Sequence, residues 1–503
     1  MRQLIADIIE GTDLRDNLIK CREQLKQPGG RETLFGLLSH TQEGEQIFLT
    51  LLDHEDPKVR RNAARILGEL HKGSRNEAVL SSLYQAYQKE STLFVRADYL
   101  KAIGEMDCGM LAPRIREQYE AQASYVPTPE EEKHYREERK ELTKLLLRLE
   151  KRPSHTFAAA EKSFDLILTC RPDVRDSVLQ KMNETWPNAG ASKVSLGVRV
   201  RRGKLAELTS IRTFREVLFL LDVMKVGPEP EKIAKELSAS NLLRLLATMH
   251  GEGEAFRFRL SIFGGMTLEK RSLFIEKCAY ALEQAGGRML VNSASDYEME
   301  IRLYERKDGS FLPLLKIFTW QDPRFTYRRE SVSTSIHPSD AARICELTCG
   351  YLAERAAVLD PFCGVGTMLV ERNLARKARS LLGIDLFGEA IEKARRNTAQ
   401  VKGDLSFINR DFFDFTYRGS FDEIFTNMPV RGKKTKEEQD ELYRRFFEKA
   451  AGILRPEGIM ILYSNEKGFI KKQLRLQKSW KLLQEFPMNG KEEFSVYVIC
   501  RGK

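Results

Sequence analysis

Acidic and amide side chains follow four apolar segments in the last third of the chain. Asp360 ends V-L-D, Asp385 ends L-L-G-I-D, Asp411 follows F-I-N-R, and Asn427 ends F-D-E-I-F-T-N. A carboxylate accepts hydrogen bonds from ribose hydroxyls or amino groups, and an amide oxygen accepts them from an amine. Because the carboxyl ends of parallel strands meet at one edge of a sheet, these four residues predict a nucleoside-binding site at that edge.

A strand, a tight turn and a helix start are predicted for Val358–Val370, V-L-D-P-F-C-G-V-G-T-M-L-V. Gly364 and Gly366 let a ligand approach the backbone, and the first N–H groups of the helix are free to donate. Asp385 lies 25 residues after Asp360 (385 − 360), a usual distance for a carboxylate that binds ribose hydroxyls. A tightly packed strand-to-helix corner would also account for the two glycines.

The turn lacks the third glycine of the dinucleotide fingerprint, because Leu369 occupies that position. Asp360 before the turn, Cys363 within it and Thr367 after it suit a cofactor that has no pyrophosphate. The segment therefore favours S-adenosylmethionine over a nicotinamide dinucleotide.

The whole chain has 503 residues, which predicts about three domains of roughly 150 residues each. Lys and Arg total 82 against 72 Asp and Glu, and the net charge of +10 is compatible with a nucleic-acid partner. The eight cysteines form no C-x-x-C pair, so we expect reduced thiols and no metal site. No apolar run reaches the ~18 residues of a membrane span, and the start M-R-Q-L-I-A-D does not resemble a signal peptide, which predicts a cytoplasmic protein.

Residues 1–125 have helical periodicity and an internal repeat. Val59-Arg60 and Gly68 align with Val95-Arg96 and Gly104, each at an offset of 36 residues (95 − 59 and 104 − 68), which indicates stacked helical hairpins. With the Asp-Pro turn at 56–57, both copies resemble the HEAT repeat. Such a module serves either as a surface for a protein partner or as a scaffold that packs on its neighbour.

Residues 126–154 begin with two prolines and continue with opposite charges four residues apart, which predicts a connector containing a solvated helix. Between residues 155 and 323 the period changes to two, as in strands, in four segments: Phe164–Cys170, Lys193–Val200, Phe256–Phe263 and Tyr297–Tyr304. Helical segments lie between them, so we expect an α+β region.

Basic residues cluster in two places, at the end of the second of these segments and just after it (Arg199, Arg201, Arg202 and Lys204) and within the third (Arg257). Such a surface could hold nucleic-acid phosphates by charge. Outward arginines are equally an ordinary feature of a half-buried sheet.

The order of segments resembles the THUMP-containing RNA methyltransferases. The resemblance rests on T-S-I-R-T-F-R-E-V-L at 209–218, on S-A-S-D-Y-E-M-E-I-R-L-Y at 293–304, and on the D-P-F-C-G-V-G-T segment that follows them. It implies a ferredoxin-like and THUMP-like region over residues 155–323 that binds structured RNA, either tRNA or rRNA. It also implies a Rossmann-like class I methyltransferase domain over residues 324–503 that ends in an antiparallel hairpin.

The same resemblance assigns the contacts of S-adenosylmethionine, because D-P-F-C-G-V-G-T matches the family's D-P-x-C-G-x-G-T and a Ser-x-His-Pro turn precedes it. Asp385 would bind the ribose hydroxyls and Asp411 the adenine amine. The full set of implied cofactor residues is Ser335, His337, Asp360, Pro361, Cys363, Gly364, Gly366, Thr367, Asp385, Leu386, Asp411 and Phe412. Without the resemblance, the Ser-x-His-Pro turn only begins a helix.

Amino methyltransferases have Asn or Asp, Pro, Pro and an aromatic residue where this chain has Asn427, Met428, Pro429 and Val430. An exocyclic amine is a poor nucleophile because its lone pair is delocalised into the ring. An amide oxygen of Asn427 and the carbonyl of Met428 would accept both N–H bonds and localise that lone pair.

Val430 removes a stacking ring worth roughly 1–3 kcal/mol per base, which leaves Phe325, Tyr327 or Phe412 to replace it. The basic residues Arg431, Lys433 and Lys434 come next and suit phosphate contact, although a solvated loop would have the same composition.

Together these residues predict methyl transfer to an exocyclic base nitrogen of tRNA or rRNA, most simply guanine N2. Two alternatives stay open. One is an RNA-binding or assembly factor that retains the cofactor pocket without turnover, and the other is a methyltransferase that acts on a protein or a small molecule.

Overall fold

The computed structural model describes residues 1–41, 44–123, 125, 127–150, 154–251, 253–287, 289–488 and 494–502. The chain forms two compact units and passes between them more than once. The first comprises Met1–Thr156, Asp222–Pro313 and Ile317–Thr319, and the second comprises Phe157–Leu221, Leu314–Lys316 and Trp320–Lys503. Within the described ranges, no helix is both long and apolar enough to cross a membrane.

The first unit begins with a helical region, as predicted. Its helices are α1 (Arg2–Ile9), α2 (Leu14–Leu25), α3 (Gly30–Leu38), α4 (Gln46–Thr50), α5 (Pro57–Leu70), α6 (Glu77–Lys89), α7 (Leu93–Glu105), α8 (Ala112–Ala123) and α9 (Glu132–Glu150). Residues 42–43, 124, 126 and 151–153 of the predicted repeats and connector lie outside the described residues.

Two arginines make equivalent hydrogen bonds at the starts of α5 and α7. Arg60 Nη1 donates to the carbonyl of His54 (2.8 Å), and Arg96 Nη1 donates to the carbonyl of Glu90 (3.0 Å), in each case six residues earlier. Arg60 Nη2 also donates to the carboxylate of Glu90 (2.7 Å), and Arg96 Nε donates to that of Glu138 (3.0 Å). The offset of 36 residues seen in the sequence is therefore present in the contacts.

Replacing Gly68 on α5 is expected to destabilise this region. A Cβ at Gly68 would lie 2.6 Å from the Cα of Ala102 on α7, so the two helices would have to separate. Overpacking of this kind costs about 1–3 kcal/mol. Gly68→Ala should lower the free energy of unfolding by that amount in urea denaturation followed by far-UV circular dichroism. Gly104→Ala is the matched control, because its Cβ would meet only the movable Leu145 Cδ2 at 3.3 Å. Equal losses in the two variants would contradict this account.

The prediction of a solvated connector helix is wrong. On α9, Arg136, Glu138 and Arg139 are only 5%, 1% and 6% exposed. Glu138 accepts hydrogen bonds from Tyr87 as well as Arg96, while Arg139 pairs with Glu283 at 3.3 Å. Partners distant in sequence neutralise these charges, so alternating charge did not indicate exposure here.

Residues 157–221 begin the second unit with β1 (Ser163–Thr169), α10 (Arg175–Thr185), β2 (Ser192–Val194), β3 (Gly197–Lys204) and β4 (Glu216–Leu220). Strand β1 is antiparallel to both β3 and β4, and β2 is antiparallel to β3. The single strand predicted at Lys193–Val200 is wrong, because a turn separates β2 from β3. Gly197, with φ 153°, ends that turn where a Cβ would lie 2.0 Å from the carbonyl oxygen of Leu168.

Residues 222–317 contain α11 (Pro230–Ala239), α12 (Leu242–His250), β5 (Phe256–Phe263), α13 (Leu268–Ala285), β6 (Leu290–Asn292), β7 (Met299–Glu305) and β8 (Phe311–Ile317). In the first unit, β5 is parallel to both β6 and β7. Leu314–Lys316 of β8 belong to the second unit, where Leu315 pairs with Phe219 of β4. The predicted mixture of strands and helices is confirmed.

The rest of the second unit alternates strands and helices: α14 (Pro338–Leu347), β9 (Ala357–Asp360), α15 (Thr367–Ala375), β10 (Ser380–Asp385), α16 (Gly388–Thr398), β11 (Leu405–Asn409), β12 (Phe421–Asn427), α17 (Lys436–Ile453), β13 (Leu454–Ser464), α18 (Lys467–Leu476), β14 (Trp480–Pro487) and β15 (Ser495–Arg501). They form a sheet of order β11-β10-β9-β12-β13-β15-β14. Strands β9–β13 run parallel. Strand β15 is antiparallel to β13 and β14, which confirms the reversed final pair.

Apolar side chains bury both faces of this sheet. Leu359 and Ile424 belong to one core cluster, whereas their neighbours Val358 and Phe425 belong to another. Since successive side chains on a strand point to opposite faces, the two clusters lie on opposite sides of the sheet. A sheet buried in this way holds the ends of its strands in fixed positions.

Candidate functional site

The polar residues that end four apolar segments lie along one edge of the C-terminal sheet. The strand order β11-β10-β9-β12 puts them in the succession Asp411, Asp385, Asp360 and Asn427. Neighbouring strands are ~4.8 Å apart, so three intervals extend about 15 Å. The edge is therefore long enough for a ligand that is recognised at one end and reacts at the other.

Asp360 is fully buried at the end of β9. Its Oδ1 accepts hydrogen bonds from Thr426 Oγ1 (2.6 Å) and from the Phe362 N–H (3.2 Å), whereas its Oδ2 has no partner. Burial raises the pKa of Asp360 to about 7, and the nearby charge of Asp385 adds to the rise. The site thus contains a carboxyl group whose second oxygen is available to a ligand.

The raised pKa of Asp360 predicts how the stability of the unliganded protein depends on pH. In the unfolded chain an aspartate ionises near pH 3.9, while folded Asp360 ionises near pH 7. Between these values the folded state binds one more proton than the unfolded state, so stability falls as pH rises. Asn at position 360 does not titrate. The free energy of unfolding of Asp360→Asn, relative to that of wild type, should therefore increase by roughly 2–3 kcal/mol between pH 5 and pH 8.

Tryptophan fluorescence in urea measures this difference, because Trp186, Trp320 and Trp480 all belong to the second unit. The exposed aspartate variant Asp414→Asn is the control and should show the same difference from wild type at both pH values. If the difference in unfolding free energy between Asp360→Asn and wild type is the same at pH 5 and pH 8, Asp360 is ionised in the folded protein at both pH values.

The Gly-x-Gly turn follows Asp360 and is hydrogen-bonded to the end of β10. The Gly364 N–H donates to Asp385 Oδ2 (2.8 Å), and the Cys363 N–H donates to the carbonyl of Ile384 (2.9 Å). Gly364 has φ +51°, and a Cβ there would meet nothing within 4 Å, so its backbone faces open space. Burial raises the pKa of the Cys363 thiol well above its usual value, which leaves this thiol neutral rather than nucleophilic.

The carboxyl ends of β10 and β11 carry the other two acids. Asp385 Oδ1 accepts from the Phe387 N–H (2.9 Å), and Asp411 Oδ1 accepts from the Phe413 N–H (2.8 Å). Each carboxylate retains lone pairs for a ligand. Leu386 is 62% exposed.

The ring of Phe412 lies in the apolar core, 2% exposed, and packs against Phe362 and Phe446. It therefore has no free face for adenine or for a target base. Phe387, which the sequence analysis missed, is 70% exposed directly after Leu386. An aromatic residue two positions after the strand-end acid was the available signal.

Asn427 ends β12, and its buried Oδ1 has no hydrogen-bond partner. The Met428 N–H donates to the carbonyl of Tyr463 (2.9 Å), which fixes the turn after the strand. Gln439 on α17 is fully buried and its Nε2 donates to the carbonyl of Pro429 (2.8 Å). Sequence reasoning missed Gln439, because nothing in a helical glutamine indicates which loop it holds. Val430 is 43% exposed.

Ser335 and His337 precede α14. Ser335 Oγ accepts from the Val332 N–H (3.0 Å). His337 Nδ1 accepts from the Ser339 N–H (3.2 Å) and caps the helix. Burial, followed by the charge of Arg215, lowers the pKa of His337 to about 4, so the imidazole is neutral at pH 7. These contacts account for the shape of the turn. Contact of Ser335 and His337 with the cofactor stays a prediction.

The aromatic residues before this turn are already engaged. Tyr327 Oη donates to Glu371 (2.7 Å). The Phe325 ring meets the His337 ring edge-on at 6.1 Å and carries the Arg212 guanidinium 5.0 Å from its centroid. Both rings therefore hold the segment in place in this structure.

The predicted basic residues differ in exposure. Arg201, Arg202, Arg431, Lys433 and Lys434 are exposed. Arg199 pairs with Asp165 at 3.2 Å, and Lys204 lies 3.7 Å from Glu207. Arg257 is 3% exposed beside Asp296 and Glu298. The structure therefore does not support Arg257 as a phosphate contact.

An open sheet of this order, with a Gly-x-Gly turn after β9 and a reversed final strand, has the arrangement of a Rossmann-like class I methyltransferase. Residues 326–494 match the family model described as UPF0020: RMKL-like, methyltransferase domain. The protein is thus a methyltransferase, and its methyl donor is S-adenosylmethionine.

Two solved structures are similar to the chain. TrmN from Thermus thermophilus is 20% identical, with 68% of this chain and 100% of that chain covered and a TM-score of 0.47. A predicted N6-adenine-specific DNA methylase from Listeria monocytogenes is 16% identical, with 67% and 96% covered and a TM-score of 0.45.

The residues at the sheet edge fit S-adenosylmethionine. Asp360 Oδ2 and Thr367 Oγ1, on either side of the Gly-x-Gly turn, are buried and have no hydrogen-bond partner among the described residues. Buried oxygens of this kind are costly unless a ligand or water satisfies them. When bound, the cofactor supplies an electrophilic methyl group on a sulfonium.

Proposed function

We propose that this methyltransferase modifies structured RNA, either tRNA or rRNA, at an exocyclic base nitrogen, with guanine N2 as the favoured acceptor. The observation that carries the proposal is the unpartnered, buried Oδ1 of Asn427 at the end of β12. Beside it, the carbonyl of Met428 is the second acceptor. Two acceptors suit an amino group with two N–H bonds and localise its lone pair toward the methyl donor.

The surroundings of Asn427 support a nucleotide as the acceptor. A groove of about 520 Å³ next to this loop is lined by Arg431, Lys436, Phe469 and Lys472, together with acidic residues. The acids Glu437, Asp440 and Glu466 equal the cations in number, and Lys472 pairs with Asp440. Arg431 and Lys436 are therefore the residues left to meet the phosphates of a flanking nucleotide. The half-buried ring of Phe469 is an aromatic surface in this groove, where Val430 offers none.

We assign the remaining parts of the chain by their resemblance to HEAT repeats and to the THUMP-containing RNA methyltransferases. Residues 1–125 are HEAT-like repeats, 126–154 form the connector, and 155–323 are the ferredoxin-like and THUMP-like region that contacts RNA through Arg199, Arg201, Arg202 and Lys204. A protein partner of the repeats and a cytoplasmic location remain predictions.

The test is tritium transfer from labelled S-adenosylmethionine to total RNA from cells that lack this gene. We expect label in a discrete tRNA or rRNA band, and nucleoside mapping of that band to give N2-methylguanosine. Asn427→Ala should reduce the initial rate of labelling by about 10²–10³-fold, whereas the exposed control Asn183→Ala should retain it.

One observation favours a second candidate, an RNA-binding factor without turnover. Val430 replaces the stacking ring, and the side chains of Tyr327 and Phe412 are engaged elsewhere. This candidate predicts cofactor binding by calorimetry with no labelled RNA. Label in a protein band that survives nuclease would instead indicate a protein substrate.

A further inference from the structure

A cluster of cations lies on the helical layer of the first unit, far in sequence from the methyltransferase residues. It consists of Arg22 on α2, Arg61 and Arg65 on α5, and Lys101 on α7, and we call it the arginine cluster. Asp98 is 3.8 Å from Arg61, 3.9 Å from Arg65 and 3.8 Å from Lys101. A single carboxylate thus faces three cations, each beyond hydrogen-bond distance.

The guanidinium groups of the cluster are incompletely satisfied. The Nε atoms of Arg61 and Arg65 are buried and have no hydrogen-bond partner. Arg22 Nη1 donates to the neutral amide of Asn62 (2.7 Å). Burial, followed by the charges of Arg65 and Arg61, lowers the pKa of Arg22, although Asp98 and Glu69 oppose the effect. The fold therefore holds like charges together without full neutralisation, which is unfavourable in the absence of an anion.

The positive surface continues from the cluster onto α9. A groove of about 380 Å³ is lined by Arg65, Lys101, Lys144 and Arg148, with Leu100 and Leu145 between them. Its acidic residues are paired, because Glu105 lies 2.9 Å from Lys72 and Glu141 lies 2.8 Å from Lys144. Because Lys144 is paired with Glu141, the cation that the groove adds to the arginine cluster is Arg148, whose Nη groups donate to the carbonyls of Gly104 and Met106.

The cations lie on four helices that contact one another in succession, α2, α5, α7 and α9. Packed helices are ~8–10 Å apart, so the row extends on the order of 25–30 Å. A polyanion with regularly spaced charges matches such a row. Guanidinium forks suit phosphate oxygens in particular.

We propose that the arginine cluster and its groove bind the phosphate backbone of structured RNA, outside the nucleotide that is methylated. This inference rests on the proposed RNA substrate. It assigns the helical region a direct role in RNA binding, in addition to any protein partner.

The test uses the full chain and a fluorescein-labelled RNA hairpin of 20 base pairs, with anisotropy measured from 50 to 300 mM salt. The variant combines Arg22→Gln, Arg61→Gln and Arg65→Gln. Each lost phosphate contact lowers the slope of log Kd against log salt by about 1, so we expect a reduction of about 3 and at least ~10-fold weaker binding at 100 mM. The control Lys26→Gln, Lys89→Gln, Lys133→Gln removes the same charge from exposed positions outside the cluster.

The melting temperature of the cluster variant should hold or rise, because repulsion among like charges is removed, and this separates lost binding from lost folding. A wild-type protein that does not bind the hairpin, or a cluster variant with the affinity and slope of the control, overturns the inference. Binding of poly-glutamate that depends on the three arginines, with hairpin binding unchanged, also overturns it and indicates an acidic protein partner. Tritium transfer to RNA is measured separately, so failure of the proposed function is recognised independently.

Discussion

Asn427→Ala is expected to lower the rate of methyl transfer by about 10²–10³-fold, the effect typical of removing one oriented polar group from an active site. The Asn427 Oδ1 is buried and has no partner within the described structure, so it is free to accept an N–H of the substrate. Its loss leaves the acceptor amine with a delocalised lone pair and a less defined direction of attack. Single-turnover transfer to the labelled RNA measures the rate.

Affinity for S-adenosylhomocysteine, measured by calorimetry, should change little in this variant, because the carboxylates that we propose for the cofactor, Asp360, Asp385 and Asp411, are intact. Asn427→Asp keeps an acceptor oxygen and should retain more activity than Asn427→Ala. Equal rates for wild type and Asn427→Ala would remove Asn427 from the reaction, whereas a parallel loss of cofactor affinity would assign it to the cofactor instead.

Glu423→Gln is expected to destabilise the second unit by about 3–5 kcal/mol, the cost of leaving a buried charge unpaired. Glu423 lies on β12 at 1% exposed and Arg372 on α15 at 0%. The Arg372 Nε and Nη2 donate to the two carboxylate oxygens of Glu423 at 2.7 and 2.9 Å. The same carboxylate accepts from the Ala353 N–H (2.6 Å), so its charge organises three chain segments.

Urea denaturation followed by tryptophan fluorescence measures this loss. The exposed neighbour Arg379, 3.4 Å from Asp422, supplies the control. Arg379→Met should cost less than about 1 kcal/mol, because exposed ion pairs contribute little. The double variant Arg372→Met, Glu423→Leu should recover much of the loss by removing both charges. A cost for Glu423→Gln no larger than that of Arg379→Met would show that Arg372 finds another partner.

The sheet edge was predictable because its signals are local. Apolar segments that end in Asp360, Asp385 and Asn427 specify strands, and the strand-turn-helix pattern around Gly364 specifies their direction. The reversed final strands were predictable from the same alternation. The repeat of the helical region was predictable because Arg60 and Arg96 occupy equivalent positions 36 residues apart.

Other features depend on partners that sequence spacing does not reveal. Arg257 alternates like an exposed strand residue, yet acidic side chains enclose it. Phe412 follows a strand-end acid, but the helix α17 covers it through Phe446. Gln439 is important only because the carbonyl of Pro429 lies 2.8 Å away. In each case the tertiary contact, rather than the local pattern, determines what the side chain can do.

The division of the chain into two interleaved units has a consequence for synthesis on the ribosome. Arg212 and Glu371 pair within the second unit at 2.7 Å but lie 159 residues apart. At about 5–20 residues per second, Arg212 is made roughly 8–30 s before its partner. During that interval Asp222–Pro313, which belong to the other unit, emerge and can fold with residues 1–156. The segment 157–221 therefore lacks its partners in β8 and α15 until residue 371 of 503 has been made. This nascent intermediate is where a chaperone would be needed.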